Sequence, residues 1–426
     1  MSINQVLHVC SSDLCQPIAG VIVCGLDSSG ERVFEVKSDE NGKIEIPLKT
    51  SSYNFSAEGY NTKDFSSPLP EVVRLLENKL VGYQDSLSFV PGSRVVFYAN
   101  SSYEINAKLF RHGLSKDLII DLGRFNSVAQ SVPDGYFVET GLNWSETGSY
   151  VIPVDAKPGL YSLLLENGQE EFALPMIVSS LNKTKDEKSP ILVLASTNNW
   201  ISYNIWGGRS RYRDFENVLG QFSKNDQVAR HKKKSLKSSL QSLLIRGLNP
   251  LLKASGLRSE NYWYKKRMSI NRPFTNCDLE GDDVLQAFTN HLAGGEWRVL
   301  AWLEREGIGY DIVSGFELHQ NKDLLQDYKS IILSTHCEYW SVEMYKNLKR
   351  YHEERGLWIV NLSGNSIFRE VGFYNDGSTH CTSLLFHKSN EDETDLIGVR
   401  FTMEGYSTCA PYKILLSDHW VFRGVD

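Results

Sequence analysis

At 426 residues the chain is too long for one hydrophobic core, and its 41% hydrophobic and 23% charged residues are ordinary values for globular proteins. A net charge of -7 argues against a general binder of nucleic acid or anionic membranes, because such binders need a basic surface. No segment reaches the ~18 consecutive apolar residues that span a bilayer, and no secretory signal opens the chain, so we expect a cytoplasmic protein without a membrane partner.

The first region, residues 1–75, contains short strand-like runs separated by turns. These runs are Ile18–Cys24, Arg32–Val36 and Lys43–Ile46, with Asp-x-x-Gly turns between them. Their spacing predicts a small β-sandwich. The order of the runs, followed by 53–60, resembles transthyretin-like or carboxypeptidase-regulatory modules. That resemblance implies a binding or spacer module.

The second region, residues 76–182, alternates apolar and polar residues. The clearest runs are Ser93–Tyr98, Ala107–Arg111 and Pro158–Leu165. Period-two alternation and intervening turn residues predict antiparallel strands in a jelly-roll-like sandwich. The polar stretch 182–190 reads as a linker into the third region.

The third region, residues 188–426, alternates strand-like and helix-like segments. Strands are predicted at 191–195, 310–313, 331–334 and 357–361, with helices at 295–306 and 341–351. This alternation predicts a mostly parallel sheet, and hence an α/β domain of the flavodoxin or glutamine-amidotransferase type. A basic segment at about 224–260 is predicted to be a solvated insertion, since the rest of the chain is acidic.

Functional-type side chains follow two of these strands. The stretch Ser196–Phe215, predicted as a loop, holds two tyrosines, two tryptophans and a Gly-Gly pair, and Ser334–Ser341 follows another strand. Ligands of open α/β sheets bind outside the carboxyl ends of the strands. If the two strands are neighbours, four side chains converge in one cleft. They are Tyr203, Tyr212, His336 and Glu338.

Two phenolates and a carboxylate form a hard oxygen-donor set, which suits a ferric ion better than zinc. A simpler alternative is that the aromatic residues pack beneath a loop. In that alternative His336 and Glu338 cap the helix that begins near Ser341.

Several motifs in the same order resemble the large (beta) subunit of N,N-dimethylformamidase over residues 75–426. The motifs are Trp200–Tyr212, Arg272-Pro273, His336–Ser341, Gly364-Asn365 and His419–Gly424. The resemblance implies a mononuclear ferric ion held by two tyrosinates and a glutamate, with a histidine nearby. It also implies hydrolysis of a small amide or related C–N bond, and a small partner subunit or a homo-oligomer.

Carried onto this chain, the resemblance implies Tyr203 and Glu338 as iron ligands and His336, with Glu338, as the catalytic group. Tyr212 is our choice for the second tyrosinate. Tyr262 and Tyr264 are alternatives. The resemblance also implies a tyrosine at the position that Phe274 occupies. Trp200, Asn204 and Trp206 are the candidates for lining the substrate pocket.

Two other functions are open at this point. Cys337 follows a strand and precedes a helix, the position of the nucleophile in a cysteine hydrolase. Thr335–Glu338, however, lacks the glycines of a nucleophile elbow. The second alternative is a non-catalytic binding protein with a degenerate metal site, in which the β modules recognise a glycan or a protein.

Overall fold

The computed structural model describes residues 4–215, 265–277, 279, 292–383, 385–389, 391–400 and 418. In this part the molecule is mostly β-sheet, in six small sheets with few helices. None of the helices described is long and apolar enough to cross a membrane. The predicted basic insertion lies outside the described residues, as do Tyr262, Tyr264 and 419–424.

Seven strands form the N-terminal region in two sheets. They are β1 (Asn4–Ser11), β2 (Ile22–Leu26), β3 (Arg32–Lys37), β4 (Lys43–Pro47), β5 (Ser52–Ser56), β6 (Lys63–Ser66) and β7 (Val72–Leu75). The sheet orders are β4-β1-β7 and β3-β2-β5-β6. Val9 from one sheet and Val23 and Phe55 from the other lie in one buried cluster. A shared core between two sheets is the packing of a β-sandwich.

Eight further strands and one short helix form the middle region. They are β8 (Val81–Gln84), β9 (Ser88–Phe89), β10 (Arg94–Asn100), β11 (Ile105–His112), β12 (Lys116–Phe125), α1 (Phe137–Thr140), β13 (Gly148–Val151), β14 (Gly159–Glu166) and β15 (Glu171–Val178). The sheets are β13-β10-β8 and β12-β11-β14-β15-β9. Neighbours are antiparallel except β9 and β15. Phe97, Leu109 and Met176 fill the core that both sheets share.

In the rest of the described residues the elements are β16 (Ile191–Ala195), α2 (Thr197–Tyr203), α3 (Ala293–Arg305), β17 (Asp311–Ser314), α4 (Gly315–Gln320), β18 (Ser330–Thr335), β19 (Tyr339–Trp340), α5 (Val342–Arg355), β20 (Trp358–Ser363), β21 (Arg369–Phe373), β22 (Thr379–Ser383), α6 (Phe386–Ser389) and α7 (Thr394–Ile397). Short 3-10 turns occur at Lys185–Glu187 and Leu324–Asp327. Two sheets lie in this region, and the smaller one has the order β19-β21-β22.

The order β17-β16-β18-β20 describes a sheet in which every neighbouring pair is parallel. The chain passes from β16 to β17 on one side and then crosses to β18 on the other side of β16. Such a reversal of direction opens a crevice at the carboxyl ends of the two strands involved. The segments that follow β16 and β18 therefore lie next to each other.

Candidate functional site

Four side chains that the sequence singles out meet at this crevice. Tyr203 ends α2, Tyr212 lies in the loop that follows, and His336 and Glu338 follow β18. The Tyr203 hydroxyl lies 3.0 Å from the Tyr212 hydroxyl and 3.0 Å from Glu338 Oε2. The Tyr212 hydroxyl donates to the same Oε2 atom at 2.5 Å. Three oxygen atoms thus lie within hydrogen-bonding distance of one another.

His336 completes the cluster through its Nε2 atom. This nitrogen lies 2.8 Å from the Tyr203 hydroxyl and 3.3 Å from Glu338 Oε2. The preceding residue, Thr335, has a φ of 60°, which is unfavourable for a β-branched side chain. The turn there brings the His336 amide to 2.7 Å from the Ser334 carbonyl oxygen. Strained backbone of this kind is characteristic of sites whose geometry matters for function.

Glu338 is ionised despite being buried. Its side chain is 1% exposed, and Arg369 Nε donates to Oε1 at 3.2 Å. Burial alone raises the pKa of Glu338, but hydrogen bonds from His336 and Tyr212 and the charge of Arg369 outweigh it and lower the pKa below its usual value. Asn199 Oδ1 accepts a hydrogen bond from the Glu338 amide at 3.1 Å. The carboxylate is therefore held as an anion in a fixed orientation.

The pKa values of the two tyrosines are shifted in the opposite direction from that of Glu338. Burial, and next the charge of Glu338, raises the pKa of both Tyr203 and Tyr212 above the ordinary phenol value. Both hydroxyls therefore stay protonated unless a bound cation displaces their protons. Three ionised oxygens this close would repel one another strongly, so the set fits a multivalent hard cation. No group of three His, Cys, Asp or Glu side chains suited to a metal occurs among the described residues.

Arg272 anchors the chain between the two tyrosines. Its guanidinium is fully buried and donates to the carbonyl oxygens of Trp206 at 2.5 Å and Asn204 at 3.2 Å. It also donates to the carbonyls of Ile201 and Arg209, at 3.3 and 3.4 Å. Burial, with nearby arginines, lowers the pKa of Arg272 to about 9, so it is charged at neutral pH. One cation thus fixes the path of residues 201–209.

A buried carboxylate explains why a helix forms where the sequence predicts a loop. Glu296 on α3 accepts hydrogen bonds from the Ser196 amide at 3.3 Å and from Trp200 Nε1 at 3.0 Å. Ser196 directly precedes α2, whose first amides need partners, and Trp200 lies in the first turn of the helix. Burial raises the pKa of Glu296 to about 7. Glu296 therefore positions the helix that carries Asn199 and Tyr203.

The three residues predicted to line a substrate pocket lie in the protein core. Trp200 and Trp206 belong to one buried cluster, where Trp206 packs against Phe137. Asn204 is also buried and donates to the Pro273 carbonyl at 2.8 Å. The packing alternative accounts for these contacts without a substrate.

The capping alternative does not describe His336 and Glu338. Ser341 itself caps α5, because its Oγ accepts a hydrogen bond from the Met344 amide at 3.2 Å.

Cys337 points into a second core cluster, and burial raises the pKa of its thiol to about 12. Its Sγ lies 2.9 Å from Ser196 Oγ. A reactive thiol needs an electropositive, accessible environment, which this one lacks.

Sequence reasoning missed Arg272 as an anchor and also missed Glu296, Asn199 and Arg369. Arg272 belongs to the Arg272-Pro273 motif and Asn199 to the stretch Ser196–Phe215, but neither pattern indicates the contacts that the two side chains make. Glu296 and Arg369 carry no local signal, because their partners are distant in sequence.

A family model described as N,N-dimethylformamidase beta subunit-like, C-terminal, matches residues 107–426. No match was found among curated proteins. Among solved structures, native E. coli alpha-2-macroglobulin aligns at 11% identity over 42% of this chain and 12% of its own length, with a TM-score of 0.15. A DUF3823 family protein from Parabacteroides merdae aligns at 12% identity over 42% of this chain and 100% of its own length, with a TM-score of 0.16. The chain spans about an eighth of that alpha-2-macroglobulin, and likenesses at these scores carry no argument.

Replacing the anchor should destabilise the protein. Arg272→Met removes donors from several buried carbonyl groups, so we expect the free energy of unfolding to fall by about 3 kcal/mol or more. Urea denaturation followed by tryptophan fluorescence measures this change. Arg124→Met removes an exposed arginine and is the control, with an expected change below about 0.5 kcal/mol. Equal effects of the two substitutions would contradict the anchoring role.

Glu296 should make stability depend on pH. Its pKa is raised from 4.5 to about 7, so the folded protein holds a proton that the unfolded chain releases. The stability from this proton is present below pH 4.5 and lost as pH rises through about 7. We expect the free energy of unfolding, relative to Glu296→Gln, to fall by about 1–3 kcal/mol between pH 4.5 and 8. Parallel pH profiles for the two proteins would show that Glu296 does not titrate in this range.

Proposed function

The chain belongs to the N,N-dimethylformamidase beta subunit-like family, and from this premise we propose that it is a hydrolase of a small amide or related C–N bond that depends on a mononuclear ferric ion. The observation that carries the proposal is the convergence of the Tyr203 and Tyr212 hydroxyls on Glu338 Oε2 within 3.0 Å. Tyr203, Tyr212 and Glu338 are the proposed ligands.

The donor chemistry supports a ferric ion over softer or less charged metals. Two phenolates and one carboxylate carry three negative charges on hard oxygen atoms, and a trivalent hard cation offsets them best. Arg369 donates to Glu338 Oε1, the oxygen atom that does not contact the tyrosines. It thereby neutralises part of the charge of the carboxylate. When bound, ferric ion supplies Lewis acidity, which polarises a carbonyl group and lowers the pKa of a water molecule.

His336 is the proposed proton acceptor. Its imidazole lies within hydrogen-bonding distance of the cluster and its side chain is 12% exposed, so it reaches both the ligands and solvent. Glu338 already accepts hydrogen bonds from both tyrosines and from Arg369, and its lowered pKa keeps it ionised. We therefore assign proton transfer to His336 and ligation and charge balance to Glu338.

We also propose that the C-terminal part is an α/β domain of the flavodoxin or glutamine-amidotransferase type. The four parallel strands and the site at the crevice between β16 and β18 support this class. A cytoplasmic location stays a prediction from the sequence. A partner subunit or homo-oligomer stays a prediction from the resemblance.

Ferric binding has a spectroscopic test. Protein titrated with ferric iron should show a visible phenolate-to-iron charge-transfer band. Tyr203→Phe and Tyr212→Phe should each weaken or abolish the band, since each removes one phenolate. Tyr103→Phe, at an exposed tyrosine, is the control and should leave the band unchanged. A colourless titration of the unaltered protein would favour the non-catalytic binding alternative.

Amide hydrolysis has a kinetic test. Iron-loaded protein should release amines from a panel of formamides and small amides, measured by amine-specific derivatisation. We expect His336→Gln to lower kcat about 100- to 10,000-fold while the charge-transfer band persists, because the ligands remain. Cys337→Ala is the comparison for the thiol alternative and should keep most of the activity. Loss of activity in Cys337→Ala with His336→Gln active would reverse the assignment.

A further inference from the structure

The N-terminal β-sandwich is in direct contact with the loop that carries Tyr212. The Asp13 carbonyl oxygen, just after β1, accepts hydrogen bonds from the amides of Gly207 at 2.6 Å and Gly208 at 2.8 Å. Asp13 lies outside the 107–426 match to the family model. A segment from outside the family match therefore holds the backbone five residues before Tyr212.

Side chains of the sandwich extend this contact. Arg74 on β7 donates through Nη1 to Cys15 Sγ at 2.9 Å and to the Gly207 carbonyl at 3.3 Å. Gly208 has a φ of 82°, and a Cβ atom added to it would lie 2.2 Å from Cys15 Sγ. The second glycine of the Gly-Gly pair is thus needed both for its backbone conformation and for the close approach of Cys15.

The far end of the loop is held by the same part of the sandwich. Phe215 packs against a buried cluster formed by Cys10 and Cys15, and its amide donates to the Gly208 carbonyl at 2.8 Å. Between these ends, the Ser210 amide donates to the Arg213 carbonyl at 2.8 Å, which closes a tight turn containing Tyr212. Both ends of the segment 207–215 therefore rest on the sandwich.

We propose that the N-terminal sandwich is a positioning module for Tyr212. The Tyr212 residue is 44% exposed, so packing around its ring fixes it only in part, and its hydroxyl position depends on the loop. That hydroxyl lies 2.5 Å from Glu338 Oε2, a distance that a loop shift of about an ångström would destroy. Asp13, Cys15 and Arg74 act through the loop and are positioning residues. The effect of this role on activity rests on the proposed ferric site, whereas the contacts between the sandwich and the loop do not.

The test uses the full chain and a matched pair of glycines. Gly208→Ala forces Cβ against Cys15 Sγ, whereas Gly30→Ala, at a φ of 86° with nothing within 4 Å of its Cβ, imposes comparable backbone strain without a clash. In Gly208→Ala/Cys15→Ala the sulfur is removed and the remaining Cβ contact relaxes to 3.3 Å. Hydrogen–deuterium exchange of the metal-free proteins reports on the Arg211 amide, which donates to the Ser202 carbonyl at 2.8 Å.

We expect the Arg211 and Tyr212 amides to exchange about tenfold faster in Gly208→Ala than in Gly30→Ala, and the added Cys15→Ala to reverse most of this change. Arg74→Met provides a second variant if Gly208→Ala does not fold, and should accelerate the same amides. Unchanged exchange in every folded variant, or no reversal by Cys15→Ala, would overturn the positioning role.

Ferric titration separates this proposal from the proposed function. If both hold, Gly208→Ala should bind ferric iron about tenfold more weakly than Gly30→Ala, with a weaker charge-transfer band, and the double variant should recover. Faster exchange in a protein that never develops the band would refute the ferric function and still support the positioning role. Normal exchange together with a normal band would refute the positioning role and support the ferric function.

Discussion

The buried guanidinium of Arg272 is the interaction on which the candidate site depends most. It satisfies carbonyl groups of a segment that is irregular and lies inside the protein, where unpaired carbonyls are costly. A planar fork with five donors suits this task, because one residue reaches several carbonyls at fixed angles. Tyr203 lies within the anchored segment 201–209, and Tyr212 follows it by three residues. Their separation in space is therefore set by a residue that touches neither hydroxyl.

Around this anchor, parts distant in sequence each fix one component of the site. The reversal of strand order brings the ends of β16 and β18 together, which places Tyr203 near Glu338. Glu296 holds the first turn of α2 from beneath, and Arg369 and Asn199 orient Glu338. The side chains of the candidate site are thus supported by a surrounding layer of hydrogen bonds.

The sequence predicts the strand ends well because buried strands read as continuous apolar runs, and the carboxyl edge of a parallel sheet is where sites form. From this alone Tyr203, His336 and Glu338 could be placed in one cleft. The helix Thr197–Tyr203 could not be predicted, because its first turn is stabilised by a carboxylate 100 residues later. Trp200 and Trp206 illustrate the same limit: aromatic residues near a site look alike in sequence whether they line a pocket or fill the core.

Phe274 and Tyr212 differ in what each could contribute to the proposed ferric site. Phe274 follows the Arg272-Pro273 motif, where relatives are expected to carry a tyrosine, and here its ring is buried in the core. A phenylalanine offers no oxygen ligand, so under the proposed function the second phenolate comes from another residue, for which we propose Tyr212. Tyr212 supplies one within 3.0 Å of Tyr203 and 2.5 Å of Glu338, from a loop that the N-terminal sandwich holds at both ends. A side chain on a loop is less constrained than one beside a buried motif. Under the proposed positioning role, the sandwich supplies the constraint that the loop alone lacks.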